Sequence, residues 1–199
     1  MEKEMSYYFE EEVLVINREL TQLDNFLEDF LKILIKYSEY LVVSGFVSIS
    51  TGRSRGTEDI DVLVKLMDED TFKIIFDDII DNGFWCYQSD NPKEAYKYIK
   101  NFNSIRFSKK DTIYPNIEFI PINEFKRAKW FEFTHPQKIR VQDFNFKIPP
   151  LEFEILYKEI LLASKKDMED ARHLRVLFSD ILKKERFKEY EPIIKGELK

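Results

Sequence analysis

The chain has 199 residues, 44% of them hydrophobic, enough for one sizeable domain or a domain with a helical appendage and a packed core. A formal net charge of −6 argues against a protein that coats nucleic acid by charge alone, and a single cysteine, Cys86, excludes an internal disulfide and fits a reducing, cytoplasmic setting. No apolar run approaches the roughly twenty residues needed to span a bilayer, and the acidic start MEKEMSYYFEEEV is unlike a signal or transit peptide, so no membrane partner is expected.

In chain order, residues 1–18 begin acidic and aromatic and turn apolar at Val13–Ile16, which suits either a helix or an added strand. From Thr21 to Tyr37 the apolar positions Leu23, Phe26, Leu27, Phe30, Leu31, Leu34 and Ile35 recur at helical spacing and predict an amphipathic helix. Leu41–Val43 is a short apolar strand broken by Ser44-Gly45, followed by a short helix over Phe46–Thr51 that Gly52 ends in the left-handed conformation. Asp59–Val64 runs extended, and a helix over Asp68–Asn82 follows, with acids at its start and Gly83 at its end. Strands are expected at Phe84–Tyr87, Ser104–Phe107 and Asn116–Ile120, the last bounded by Pro115 and Pro121, with a loop or short helix after Asn91-Pro92.

Ile122–Trp130 reads as a helix, and Lys138–Val141 with Phe144–Ile148 as a hairpin turning at Gln142-Asp143. Pro149-Pro150 marks a boundary, giving a domain over 1–148 and a helical segment over 149–199. In that segment Leu151–Ala163 predicts a helix bearing Lys158, and a second helix begins with Asp167 as N-cap and Asp170 three residues in. The expected fold is α+β: a small mixed sheet flanked by helices, with helices at the C-terminal end. Cys86, His135 and His173 read as structural, since no Cys/His spacing supports a zinc site.

The chemistry is concentrated at Asp59 and Asp61. Side chains two apart in a strand share a face, so these carboxylates stand side by side while Ile60, Val62 and Val64 face the other way. Like charges so close repel unless a cation sits between them, and a hard divalent ion held by oxygen ligands resolves the conflict. Read alone, Asp59 also suits a strand-opening turn and Asp61 a solvated edge. Glu118, the lone acid in the Asn116–Ile120 strand, likewise suits an edge facing water.

The run Ser44-Gly45, Gly52, Arg55, Thr57, Asp59, Asp61 resembles the signature of the minimal nucleotidyltransferases related to DNA polymerase beta, in the branch of abortive-infection type nucleotidyltransferase toxins. Ser44 departs from the usual glycine of that signature. Lys158 and Lys166-Asp167-Met168-Glu169-Asp170 follow the order of the family's C-terminal motifs. The resemblance implies a nucleotidyltransferase fold and Mg²⁺-dependent transfer of a nucleoside monophosphate from an NTP, with Mn²⁺ as a substitute ion. Asp59, Asp61 and Glu118 would be the catalytic metal ligands; Ser44, Gly45, Arg55, Thr57 and Lys158 would bind nucleotide. The acceptor it allows is tRNA, a protein hydroxyl or a small molecule. Two alternatives stand beside it: a degenerate module of the same fold that binds nucleotide or a partner, and a toxin held in check by an antitoxin.

Overall fold

The computed structural model describes residues 6–198, an α+β protein with two mixed sheets. The sheet strands are β1 (Tyr7–Glu10), β2 (Val13–Ile16), β3 (Tyr40–Val43), β4 (Asp59–Lys65), β5 (Phe84–Cys86), β6 (Ile105–Lys109), β7 (Asn116–Ile122), β8 (Gln137–Val141) and β9 (Phe144–Ile148). The helices are α1 (Gln22–Leu34), α2 (Gly45–Ser50), α3 (Glu69–Asp81), α4 (Pro92–Ile99), α5 (Arg127–Thr134), α6 (Leu151–Tyr157), α7 (Lys165–Leu177) and α8 (Lys184–Lys195). Among the described residues, no helix is long and apolar enough to cross a membrane.

The chain forms two compact units, each assembled from separate stretches. One comprises the residues up to Glu19, Val42–Arg55 and everything from Glu124 on; the other comprises Leu20–Leu41 and Gly56–Asn123. Both sides of Pro149-Pro150 belong to the first.

In the first unit, β1 and β2 form a hairpin, the strand alternative for the N-terminal segment. They extend into a four-stranded sheet ordered β1-β2-β8-β9, where β2 runs parallel to β8 and Gln142 takes the positive φ of the β8–β9 turn. Helices α6 and α8 pack through Phe153, Leu156, Tyr190 and Ile194, with Phe131 against both Phe153 and Tyr190 at 5.3 Å between ring centres. The helix from Leu151 passes into a π-helical turn over Lys158–Leu162 and ends at Ala163, which has positive φ.

The second unit holds β4, β7, β6 and β5 of the sheet ordered β3-β4-β7-β6-β5, with β3 divided after Leu41. One face is apolar and aromatic. Phe107 of β6 lies 5.7 to 6.0 Å from the rings of Phe30 on α1, Phe76 on α3 and Phe119 on β7, and Phe84 of β5 packs edge-on against Phe30. Thr21 caps α1 in a reciprocal box with Asp24, and Asp68 caps α3 by accepting from Thr71 N–H.

The structure departs from the local expectations at two places. The helix placed over Ile122–Trp130 begins only at Arg127, because β7 continues through Pro121 to Ile122. Proline is tolerated there because pairing with β6 stops at Phe119, leaving one side of the strand without a ladder partner. Ser164, not Asp167, is the N-cap of α7: its hydroxyl accepts from Asp167 N–H, which puts Asp167 inside the first turn.

Candidate metal centre

The site is a consequence of register. β4 and β7 pair in parallel with Asp59 opposite Asn116 and Asp61 opposite Glu118. β6 runs antiparallel to β7 with Arg106 opposite Glu118 and Ser108 opposite Asn116. Laterally paired residues share a face, so these groups stand on the side opposite the phenylalanine core. A slip of one residue in β7 would turn Glu118 into that core and bring Ile117 or Phe119 beside Asp61.

Asp59, Asp61 and Glu118 each offer a ligand oxygen, and these atoms all lie within 4.8 Å of one another. All three residues are half-buried; the Asp59 and Glu118 side chains are 43% and 19% exposed. Thr57 steadies the first acid, donating to Asp59 O at 2.8 Å, with Asp59 Oδ1 at 3.4 Å. Ser104 donates to Glu118 Oε1 at 2.5 Å, and Arg106 Nη2 to Glu118 Oε2 at 3.0 Å. Asn116, buried beside Asp59, donates to Glu58 O at 3.1 Å while its Oδ1 has no hydrogen-bond partner. Three carboxylate oxygens this close to one another are a donor set that a hard divalent cation can take. The residues fit Mg²⁺ or Mn²⁺.

Burial works against the charge of Arg106, but its hydrogen bond to Glu118 and the negative charges of Glu118, Asp59 and Asp61 outweigh it and hold its pKa above the ordinary value. Sequence reading did not single out Arg106, Ser104 or Asn116. Each becomes meaningful only once pairing sets it against an acid on the next strand.

Thr57 and the three acids thus come together in the second unit. Ser44, Gly45, Arg55 and Lys158 belong to the first. Ser44 has φ 65° and ψ −132°, a conformation suited to glycine, and its side chain makes no capping bond to α2. A Cβ at Gly45 would sit 2.9 Å from Arg55 Nη2, so a side chain there would make the guanidinium shift. The Arg55 guanidinium is held by Asp170, which also pairs with Arg53 and with Lys158 Nζ at 3.1 Å. Asp170 is therefore a wholly buried hub, not a helix-start residue.

Lys158, expected to neutralise phosphate, is 0% exposed, its ammonium held by Glu154 at 3.2 Å, Asp167 at 3.8 Å and Asp170. Burial pushes the Glu154 carboxyl above its usual range and Lys158 only partly offsets this; burial likewise raises Glu132, to about 8. His173 Nε2 lies 3.2 Å from Thr51 Oγ1 and its pKa is lowered by burial, while Cys86 is buried and its thiol pushed up.

Comparison with known proteins adds no relative: no protein-family model matches the chain, and no curated protein matches it.

Proposed function

We propose that the chain is a divalent-metal-dependent nucleotidyltransferase that moves a nucleoside monophosphate from an NTP to an acceptor hydroxyl and releases pyrophosphate. The observation that carries this reading is the convergence of Asp59, Asp61 and Glu118 on one polar sheet face, in the Arg-x-Thr-x-Asp-x-Asp context of residues 55–61. Asp59 and Asp61 would hold Mg²⁺ or Mn²⁺, with Glu118 completing the ligand set on the acceptor side. When bound, the metal supplies charge stabilisation to the oxygens entering and leaving phosphorus.

The chain's own residues do the rest. Thr57 holds the Asp59 backbone carbonyl and Ser104 the Glu118 carboxylate before any ligand arrives, so less orientation remains to be done at the moment of reaction. Glu118 orients the acceptor hydroxyl and takes its proton as the oxygen bonds to the α-phosphorus; the bond to the β-phosphate breaks and pyrophosphate leaves with its electrons. Acceptors of three kinds remain within the proposal: tRNA, a protein hydroxyl and a small molecule.

A second reading, a non-catalytic module that binds nucleotide, is favoured by one observation: Arg106 already pairs with Glu118 at 3.0 Å and lies 3.9 Å from Asp59, offsetting part of the acids' charge. Thermal unfolding with each of the four NTPs, with and without Mg²⁺, separates the two, because a ligand of the native state raises its stability by an amount set by [L]/Kd. Metal-dependent stabilisation that is lost in Asp59→Ala/Asp61→Ala supports the transferase. Stabilisation that is indifferent to metal supports the binding module. No stabilisation by any nucleotide contradicts both.

A further inference from the structure

Arg106 stands where two cations cannot both be satisfied. Its Nη2 donates to Glu118 Oε2 at 3.0 Å and lies 3.9 Å from Asp59 Oδ2, so one corner of the guanidinium spans two of the three acids that would ligate the metal. The rest of the group is weakly held: Nε has no hydrogen-bond partner, and the side chain is 41% exposed. Two partners hold the head, and the buried Nε adds no hydrogen bond. A dication entering among the same oxygens competes for their lone pairs and repels the guanidinium, at a range where charges interact strongly even when partly screened.

We propose that Arg106 is a displaceable counter-ion, which bridges the Glu118 and Asp59 carboxylates until the metal binds and then, released onto the strand beside Glu118, anchors a phosphate oxyanion of the nucleotide. The inference rests on the transferase reading above. Guanidinium is suited to both tasks, because its fork of donors matches the paired oxygens of a carboxylate and of a phosphate alike. The exchange also accounts for the stability of three acids on one face without metal. It assigns to a residue outside the signature run at 44–61 a part in coupling metal binding to nucleotide binding.

The coupling has opposite signs for the two ligands, which a purely structural arginine would not give. In calorimetric titrations of Mn²⁺ alone, Arg106→Gln is expected to bind the ion about tenfold more tightly than wild type, because a competing positive charge is gone. In titrations of ATP into protein saturated with Mn²⁺, the same variant is expected to bind about tenfold more weakly. Arg106→Lys, which keeps the charge but not the fork, should bind Mn²⁺ like wild type and ATP with intermediate affinity. Mn²⁺ affinity that is unchanged or weaker in Arg106→Gln overturns the inference and leaves the transferase reading standing, as does unchanged ATP affinity. Absence of Mn²⁺ binding in every protein overturns both.

Discussion

At the scale of single residues, Ser44 and Asp170 show strain and charge handled differently. Ser44 holds a backbone conformation that costs a side-chain-bearing residue on the order of 1–3 kcal/mol, against roughly 0.5–1 kcal/mol of extra chain entropy for glycine. Ser44→Gly should therefore stabilise the protein by about 1 kcal/mol in urea unfolding; a destabilised variant would mean that the hydroxyl makes a compensating bond. Asp170 balances Arg53, Arg55 and Lys158 in a buried position, so Asp170→Ala takes from the buried Lys158 the nearest of its three carboxylate partners. We expect a loss of about 3–5 kcal/mol by the same measurement. The sequence carried part of this. The pairing of Asp59 with Asp61 follows from strand alternation alone, and Glu118 was legible as the one acid in an apolar strand. Asp170 was not legible as a hub, because its position three residues past Asp167 suits the start of a helix equally well, and only packing brings Lys158 and the arginines to it. Arg106 was hidden for a related reason: Ile105-Arg106-Phe107 is ordinary alternation until register sets the arginine against Glu118.

At the scale of elements, one sheet does two jobs on its two faces. Phe107 on β6 makes ring contacts with α1, α3 and β7 from the same strand that presents Arg106 to Glu118 on the other side. Phe107→Ala should cost about 3–5 kcal/mol through the cavity it opens. Because the core residues fix the register, it should also weaken Mn²⁺ binding, which calorimetry under native conditions can read. Undiminished metal affinity would mean that the site is held by pairing alone. Helix and strand identities were legible over most of the chain because the apolar period is strong. The end of β7 was misjudged because Pro121 reads as a strand terminator, whereas proline requires only that one side of a strand lack a ladder partner. That is a property of the neighbouring strand's length, which no local pattern contains.

At the scale of the whole molecule, the chain passes between its two units four times, after Glu19, Leu41, Arg55 and Asn123, so neither is a contiguous segment. The sequence offered Pro149-Pro150 as punctuation, but local breakers do not reveal which distant stretches pack together. Stability should also depend on pH through the buried acids of the first unit. Glu132 has its pKa raised from 4.5 to about 8 by burial, with Lys129 and Lys158 opposing the shift and Glu154 adding to it. A raised folded-state pKa stabilises fully below the unfolded value, so this contribution is present below pH 4.5 and is lost as pH rises toward about 8. Its slope is at most about 1.4 kcal/mol per pH unit. Glu154 shifts in the same direction, so the clean comparison is wild type against Glu132→Gln. The variant should be the more stable of the two above about pH 8, with a flatter profile between 4.5 and 8; parallel profiles would show that Glu132 ionises freely.

Whether Asp59, Asp61 and Glu118 hold a divalent ion is read most directly by anomalous diffraction from crystals grown with Mn²⁺ and a non-hydrolysable NTP analogue. The predicted result is an anomalous peak bound by oxygens of all three carboxylates, with Arg106 moved off Glu118 toward a phosphate. Carboxylates still paired with Arg106 at saturating Mn²⁺, with no peak among them, would contradict it.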